Sequence, residues 1–146
     1  MSNVTGTAFV VAEFRAEENA ETAPLYTDNV VKIWLNEETK KIADEIAQNS
    51  PAAKEMIKLR TKYFDDVLSN QILAGCKQVV ILGSGLDTRA ARMNGEGVDY
   101  WEIDDRATLE LKAETLKAHK ITANVNYIPG DYVKDDLISL LRHSEF

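Results

Sequence analysis

The segment QVVILGSGLDT, residues 78–88, carries the two features that point to the architecture of this chain. Its apolar, mostly β-branched run ends at Leu82 and is typical of a strand buried on both faces in a parallel sheet. Gly83 and Gly85 follow the run. Glycines let the backbone turn sharply from a strand into a helix, with no side chain to block a ligand. The segment therefore predicts a buried strand at 78–82 followed by a glycine turn.

Beyond this segment, the pattern alternates between helix and strand. We predict a short helix at 88–93, a strand at 98–104, a helix at 106–120, a strand at 123–128 and a last helix at 133–141. Strands that alternate with helices form βαβ units with right-handed crossovers and a parallel sheet.

The first half of the chain has the pattern of helices. One apolar stripe at helical spacing comprises Val30, Val31, Ile33, Trp34, Ile42 and Ile46. A second helix is predicted from Pro51 to about Leu73, because Ser50 is a favourable N-cap and proline at the first helical position loses no hydrogen bond. Its periodic apolar positions are Met56, Leu59, Tyr63, Val67 and Leu68. The fold class is therefore α/β, with helices first and a parallel sheet after them.

The acidic residues Glu102 and Asp104 close the second predicted strand, about 20 residues after the glycine turn. In nucleotide-binding folds an acid at this place holds a ribose diol, and the helix N–H groups of the turn face the ligand. The spacing points to a ribose-bearing cofactor. A glycine-rich turn that binds nothing, with both acids solvated at a strand end, is the alternative.

Two ribose-bearing cofactors are the candidates, a nicotinamide dinucleotide and S-adenosylmethionine. The dinucleotide fingerprint requires a third glycine where this chain has Thr88. Asp87 would also repel a pyrophosphate, whereas a cationic cofactor without phosphate tolerates that acid. The residues favour S-adenosylmethionine and leave the dinucleotide as an alternative.

Composition excludes several other classes of function. The net charge is −7, and the chain has no cluster of Lys and Arg, so neither nucleic acid nor a membrane surface is an expected partner. No apolar run is long enough to span a bilayer, and Met1 to Val11 lacks the pattern of a signal peptide. The single cysteine, Cys76, cannot form an internal disulfide, which fits a cytoplasmic protein.

Several segments, in order, resemble the leucine carboxyl methyltransferase-like family of S-adenosylmethionine-dependent O-methyltransferases, in its bacterial small-molecule branch. Residues 60–66, RTKYFDD, are similar to its Arg-Thr-x-x-Phe-Asp-Asp helix. Residues 80–89, VILGSGLDTR, resemble its strand-and-turn motif, and residues 101–104, WEID, resemble the end of its second strand. The resemblance implies N-terminal helices in residues 1–76 and a partial Rossmann-like, S-adenosylmethionine-binding domain in residues 77–146.

The resemblance also implies roles for individual residues. Arg60 would bind the cofactor carboxylate, and Gly83 and Gly85 would allow its close approach. Glu102 or Asp104 would take the ribose diol. Asp131 would lie near the adenine, with Tyr132 where the family usually has an apolar residue. No catalytic residue and no metal ligand is assigned.

The implied reaction is methyl transfer to a carboxyl or hydroxyl oxygen of a small molecule. Family members are much longer, so the C-terminal half of the sheet is expected to be missing and the chain to have little or no activity alone. A non-catalytic remnant that binds the cofactor or a partner is the alternative. The first strand would then be an exposed edge, which predicts a homo-oligomer or a separate chain that completes the sheet.

Overall fold

The computed structural model describes residues 6–95, 97–142, 144 and 146. Residues 1–5, which begin the segment without a signal-peptide pattern, lie outside the described residues. The elements are α1 (Gly6–Glu17), two 3₁₀ turns (Glu18–Ala20 and Val31–Trp34), α2 (Glu37–Asn49), α3 (Pro51–Leu73), β1 (Gln78–Leu82), α4 (Arg89–Arg92), β2 (Asp99–Asp104), α5 (Arg106–Ala118), β3 (Val125–Pro129) and α6 (Leu137–Arg142). These residues divide into two compact units, an N-terminal unit up to Gln71 and a C-terminal unit, Ile72–Phe146.

The N-terminal unit is helical and has its own apolar core. Val10 and Phe14 of α1 pack with Ala43 of α2 and Ile57 of α3. Helix α2 begins after Asn36, whose side chain accepts hydrogen bonds from the backbone N–H groups of Glu38 and Thr39. Such a cap satisfies N–H groups that have no partner inside the helix.

The predicted stripe from Val30 to Ile46 is not one helical face. Val31 and Trp34 lie in a 3₁₀ turn and are buried, but the Asn36 cap starts a new helix with a different phase. Ile42 and Ile46 are consequently exposed on α2. Apolar spacing across a helix cap does not predict a shared face, because the cap breaks the angular register.

Helix α3 has the bounds that the sequence predicts, but its buried face is different from its apolar stripe. Met56, Leu59 and Tyr63 are exposed. The buried positions of α3 are Ile57, Lys58, Thr61 and Asp65. Lys58 can be buried because its ammonium lies 3.3 Å from a carboxylate oxygen of the buried Glu18.

The C-terminal unit is built on a three-stranded parallel sheet in the order β1-β2-β3. Helices followed by a parallel sheet confirm the predicted α/β class, and the strand order agrees with the methyltransferase-like arrangement of first, second and third strands. In the register, Ile81 of β1 lies beside Glu102 of β2, and Glu102 lies beside Tyr127 of β3. The three strands therefore end at one common edge of the sheet.

Helices cover both faces of this sheet. On one face, Trp101 and Ile103 of β2 pack with Ile128 of β3 and with apolar residues of α6. On the other, Lys112 of α5 reaches Glu102. The prediction that β1 is buried on both faces is wrong: β2 is the buried strand, whereas Val79, Val80 and Ile81 are half-buried and Leu82 is exposed. Among the described residues β1 pairs on one side only.

Three predicted helices are shorter in the structure, including α5, which ends at Ala118 rather than at 120. Helix α4 has only four residues, and α6 begins at Leu137 rather than at 133. Asp136 explains the late start of α6, because its carboxylate accepts from the Ile138 N–H and the Ser139 hydroxyl and so caps the helix. None of the helices in the described residues has the length and apolar character of a membrane span.

Candidate functional site

The glycine turn lies at the carboxyl end of β1, next to the ends of β2 and β3. Gly83 has φ +62° and Gly85 φ +47°, a left-handed conformation that glycine adopts without steric cost. The Gly83 N–H donates to the Ile103 carbonyl at 2.8 Å. This bond extends the β1–β2 ladder by one residue and fixes where the turn begins.

Asp104 connects all three strand ends. One of its carboxylate oxygens accepts from the Gly85 N–H at 2.6 Å, and the other accepts from the Asp105 N–H at 2.7 Å. Its backbone carbonyl accepts from the Gly130 N–H after β3 at 3.0 Å. The residue is only partly buried. An ionised carboxylate can accept about four hydrogen bonds, so two remain for a ligand.

Glu102, two residues earlier, has a different environment. It is fully buried and forms an ion pair with Lys112 of α5, which is almost as deeply buried. Burial raises the pKa of Glu102, and the ammonium of Lys112 opposes that rise. Burial, followed by the negative charge of Glu102, also raises the pKa of the neighbouring Tyr127. The structure thus places Glu102 inside the sheet layer and Asp104 at its accessible edge.

Asp131 and Tyr132 lie in the turn that follows β3. The Asp131 carboxylate accepts from the Val133 N–H at 3.0 Å and pairs with the Lys134 ammonium at 2.8 Å. The hydrogen bond from Lys134 lowers the pKa of Asp131. The phenol of Tyr132 lies against Gly83: a Cβ built on Gly83 would be 2.6 Å from its Oη. The turn after β3 therefore faces the glycine turn.

The residues after the glycine turn leave little room for a pyrophosphate. The Asp87 carboxylate accepts from the Arg89 N–H at 2.8 Å and pairs with the Arg89 guanidinium. Its charge is compensated, so the repulsion expected from Asp87 is weaker than the sequence indicates. A pyrophosphate is disfavoured for a second reason. The Arg89 N–H at the start of the short α4 is already bonded to Asp87, and the buried Thr88 lies where the dinucleotide fingerprint has its third glycine.

Arg60, the remaining residue predicted for the site, belongs to the N-terminal unit. It lies on α3 at an exposed position, and among the described residues it forms no ion pair. The alternative role for Arg60, a surface ion pair with Asp65 or Asp66, is not realised among the described residues, where Asp66 pairs with Lys62. Of the other six predicted residues, five lie together at one edge of the sheet, namely Gly83, Gly85, Asp104, Asp131 and Tyr132, whereas Glu102 is buried inside the sheet layer.

Sequence reasoning missed buried ion pairs in both units. Lys112 neutralises Glu102, and Arg15 pairs with Asp28 inside the N-terminal unit. Asp28 is fully buried and also accepts from the Val31 N–H at 3.1 Å. The signal for the first pair was a lysine on an otherwise apolar helix face, between Leu109 and Leu116, which both face the core.

Comparison with known proteins identifies related sequences along most of the chain. The family model "Leucine carboxyl methyltransferase" matches residues 8–146. A Mycolicibacterium smegmatis protein, named as an S-adenosyl-L-methionine-dependent methyltransferase, is 35% identical over 87% of this chain and 44% of its own length. Proteins of the same name from Streptomyces coelicolor and Mycobacteroides abscessus are 33% and 29% identical, over 87% and 100% of this chain and 48% and 53% of their own lengths. The chain thus spans about half the length of these curated relatives.

Proposed function

The chain belongs to the leucine carboxyl methyltransferase family, and from this membership we propose that its glycine turn binds S-adenosylmethionine for methyl transfer to an oxygen of a small molecule. The observation that carries the proposal is the bond between the Asp104 carboxylate and the Gly85 N–H. It joins the acid that would hold a ribose to the turn that would contact the rest of the cofactor.

Asp104, rather than Glu102, is the proposed ribose acid. Its carboxylate is partly accessible and keeps free acceptor positions, which suit the two hydroxyl donors of a ribose. Glu102 is closed off by the sheet, and Lys112 already satisfies one of its oxygens. The proposed role of Glu102 is to fix α5 against β2.

The remaining contacts are assigned by position. Gly83 and Gly85 have no side chains, so they would allow the cofactor to approach the backbone of the turn. Asp131 would lie near the adenine, at the carboxyl end of β3, and Tyr132 follows it in the same turn. The guanidinium of the exposed Arg60 would donate two parallel hydrogen bonds to the cofactor carboxylate.

Bound S-adenosylmethionine supplies an electrophilic methyl group on a sulfonium. The protein's part in such a transfer is mainly to orient the acceptor oxygen and to exclude water. A carboxylate acceptor needs no general base, whereas a hydroxyl needs one. None of the described side chains is proposed as that base, because Asp104 is assigned to the ribose and the other two clustered acids pair with Lys112 and Lys134.

A second part of the proposal concerns the free edge of β1. Lys77 and Gly83, at the two ends of β1, both bond to β2. Because bonding residues alternate along a parallel strand, Val79 and Ile81 also bond to β2, and the N–H and C=O groups of Val80 and Leu82 are directed to the other side. Edges of this kind bind another strand. We therefore expect that a second copy or a separate chain pairs with β1, and that this chain alone has little methyltransferase activity.

Isothermal titration with S-adenosylhomocysteine and, separately, with NAD tests the proposed cofactor. Binding of S-adenosylhomocysteine with no heat from NAD is the expected result. Binding of NAD without binding of S-adenosylhomocysteine would contradict the proposed methyltransferase site. Turnover assays with carboxylate and hydroxyl acceptors then separate an enzyme from a non-catalytic protein that only binds the cofactor.

A further inference from the structure

The side chain of Tyr132 occupies the space that the missing side chain of Gly83 leaves open. A Cβ built on Gly83 would lie 2.6 Å from Tyr132 Oη and 3.0 and 3.1 Å from two ring carbons. Real Cβ atoms do not approach other atoms so closely, so an atom at this place would require the phenol to move. The phenol and a ligand that approaches Gly83 from this side would compete for the same volume.

The backbone on either side of this phenol is firmly held. The Asp131 N–H donates to the Asp135 carboxylate at 2.7 Å, and the Asp135 N–H donates back to the Asp131 carbonyl at 2.7 Å. The Gly130 N–H ties the start of this turn to the carbonyl of Asp104. Tyr132 is thus presented toward the glycine turn by a segment that is itself hydrogen-bonded on both sides.

The phenol itself is held only by van der Waals contact. The structure gives its hydroxyl no hydrogen-bond partner in the described part of the chain, and the side chain is 44% exposed. A tyrosine side chain can leave such a place by rotation about its Cα–Cβ bond into another staggered rotamer, with the backbone unchanged. Displacement of the phenol would therefore break no hydrogen bond.

We propose that Tyr132 is a gate on the cofactor site, whose phenol covers the Gly83 side of the glycine turn and rotates away when an adenosyl ligand binds. The inference rests on the proposed cofactor site. Tyr132 is also the residue that stands where the family resembled by this sequence usually has an apolar side chain. When only a fraction of the molecules is open, the apparent affinity falls by that fraction.

Titration of S-adenosylhomocysteine into the wild-type chain and into Tyr132→Leu, Tyr132→Phe and Val133→Ala tests the gate. A leucine is too short to reach Gly83 from this position, so Tyr132→Leu should bind about tenfold more tightly if the wild type is open about one tenth of the time. Stopped-flow mixing should show faster association for the same variant. Tyr132→Phe keeps the ring atoms at 3.0 and 3.1 Å and should bind like the wild type. Val133→Ala is the control, because Val133 is the exposed neighbour in the same turn.

An independent readout comes from the ring itself. The NMR signals of the Tyr132 ring, assigned by their loss in Tyr132→Phe, should shift as S-adenosylhomocysteine is added. Equal affinity of the wild type and Tyr132→Leu overturns the gate, and weaker binding by Tyr132→Leu overturns it in favour of a direct contact with the ligand. Absence of binding in both proteins overturns the proposed cofactor site itself.

Discussion

The backbone N–H of Gly85 donates a 2.6 Å hydrogen bond to the carboxylate of Asp104, across the ends of two neighbouring strands. The two residues are 19 positions apart in the chain and meet because β1 and β2 are parallel and in register. A charged acceptor makes this bond stronger than one between neutral groups. The bond therefore fixes the glycine turn relative to the acid that we propose holds the ribose.

The Asp104 carboxylate should be needed for cofactor affinity. Asp104→Asn keeps an acceptor for the Gly85 N–H but removes the negative charge that two ribose hydroxyls would share. We expect a loss of about 1.5–3 kcal/mol in the binding of S-adenosylhomocysteine, the scale of hydrogen bonds to a charged group. Asp99→Asn, the same change at the exposed opposite end of β2, is the control and should leave affinity unchanged. Equal affinities of the two variants would contradict the assignment of Asp104.

Arg60 should contribute to affinity although it is an exposed residue in the structure. Arg60→Ala is expected to weaken S-adenosylhomocysteine binding by about 1.5–3 kcal/mol, because the ligand carboxylate loses a charged hydrogen-bond partner. Lys62→Ala, which removes a positive charge from the same helix and only breaks the surface pair with Asp66, is the matched control. Titration calorimetry compares the two. Wild-type affinity in Arg60→Ala would mean that this arginine does not contact the ligand.

The buried pair of Glu102 and Lys112 should behave as a unit in stability measurements. Lys112→Met leaves a buried carboxylate without its cation and is expected to lower the free energy of unfolding by about 3–5 kcal/mol. The double variant Glu102→Gln, Lys112→Met should be far closer to the wild type, since no buried charge remains. Urea unfolding measures both. Additive losses in the double variant would show that the two side chains do not depend on each other.

The pH dependence of the Lys112→Met variant follows from the raised pKa of Glu102. Burial raises this pKa above its ordinary value of 4.5, and loss of the ammonium removes the main opposing effect. A carboxyl group with a raised folded-state pKa binds its proton more tightly in the folded state. The stabilisation that comes from this tighter proton binding is therefore complete below the pKa of the unfolded state, and it is lost as the pH rises through the pKa of the folded state. The variant should gain stability relative to the wild type on acidification toward pH 4.5, measured by urea unfolding at a series of pH values.

The edge of β1 should exchange its amide hydrogens in an alternating pattern. Val79 and Ile81 donate to β2 and should be protected, whereas the amides of Val80 and Leu82 face the other side and should exchange quickly in the monomer. Sedimentation at micromolar concentrations should detect association, and the Val80 and Leu82 amides should become protected as it proceeds. A monomer in which all four amides are protected would mean that the chain covers this edge by itself.

Local signals in the sequence were sufficient for several features of the fold. Strand β1 has the bounds that its apolar run predicts, and α3 begins at Pro51 and ends at Leu73 as predicted. These features depend on interactions between residues that are close in the chain, such as the conformational preferences of proline, glycine and β-branched side chains. The family was also evident from short motifs, because its glycine turn and Arg-Thr helix are continuous segments.

Features that depend on partners distant in the chain were not accessible in this way. The apolar period of α3 predicts the helix, but which face is buried depends on Glu18, which lies 40 positions before Lys58 and satisfies its charge. Similarly, the order of burial between β1 and β2 depends on what lies beside each strand rather than on how apolar it is. A periodic apolar pattern predicts whether a segment is a helix or a strand. Which of its residues are buried depends on the segments that pack against it.

The sequence by itself determined the α/β class, the glycine turn, the acidic pair after it and the family, because each of these is written in contiguous residues. Only the tertiary structure separated Glu102 from Asp104 and set Tyr132 against Gly83. The first distinction arises because Lys112 of α5 reaches Glu102, and the second because the turn after β3 reaches the glycine turn of β1. Glu102 and Asp104 are acids two residues apart on the same strand, and their difference arises from the group that the fold brings to each carboxylate, the Lys112 ammonium to one and the Gly85 N–H to the other.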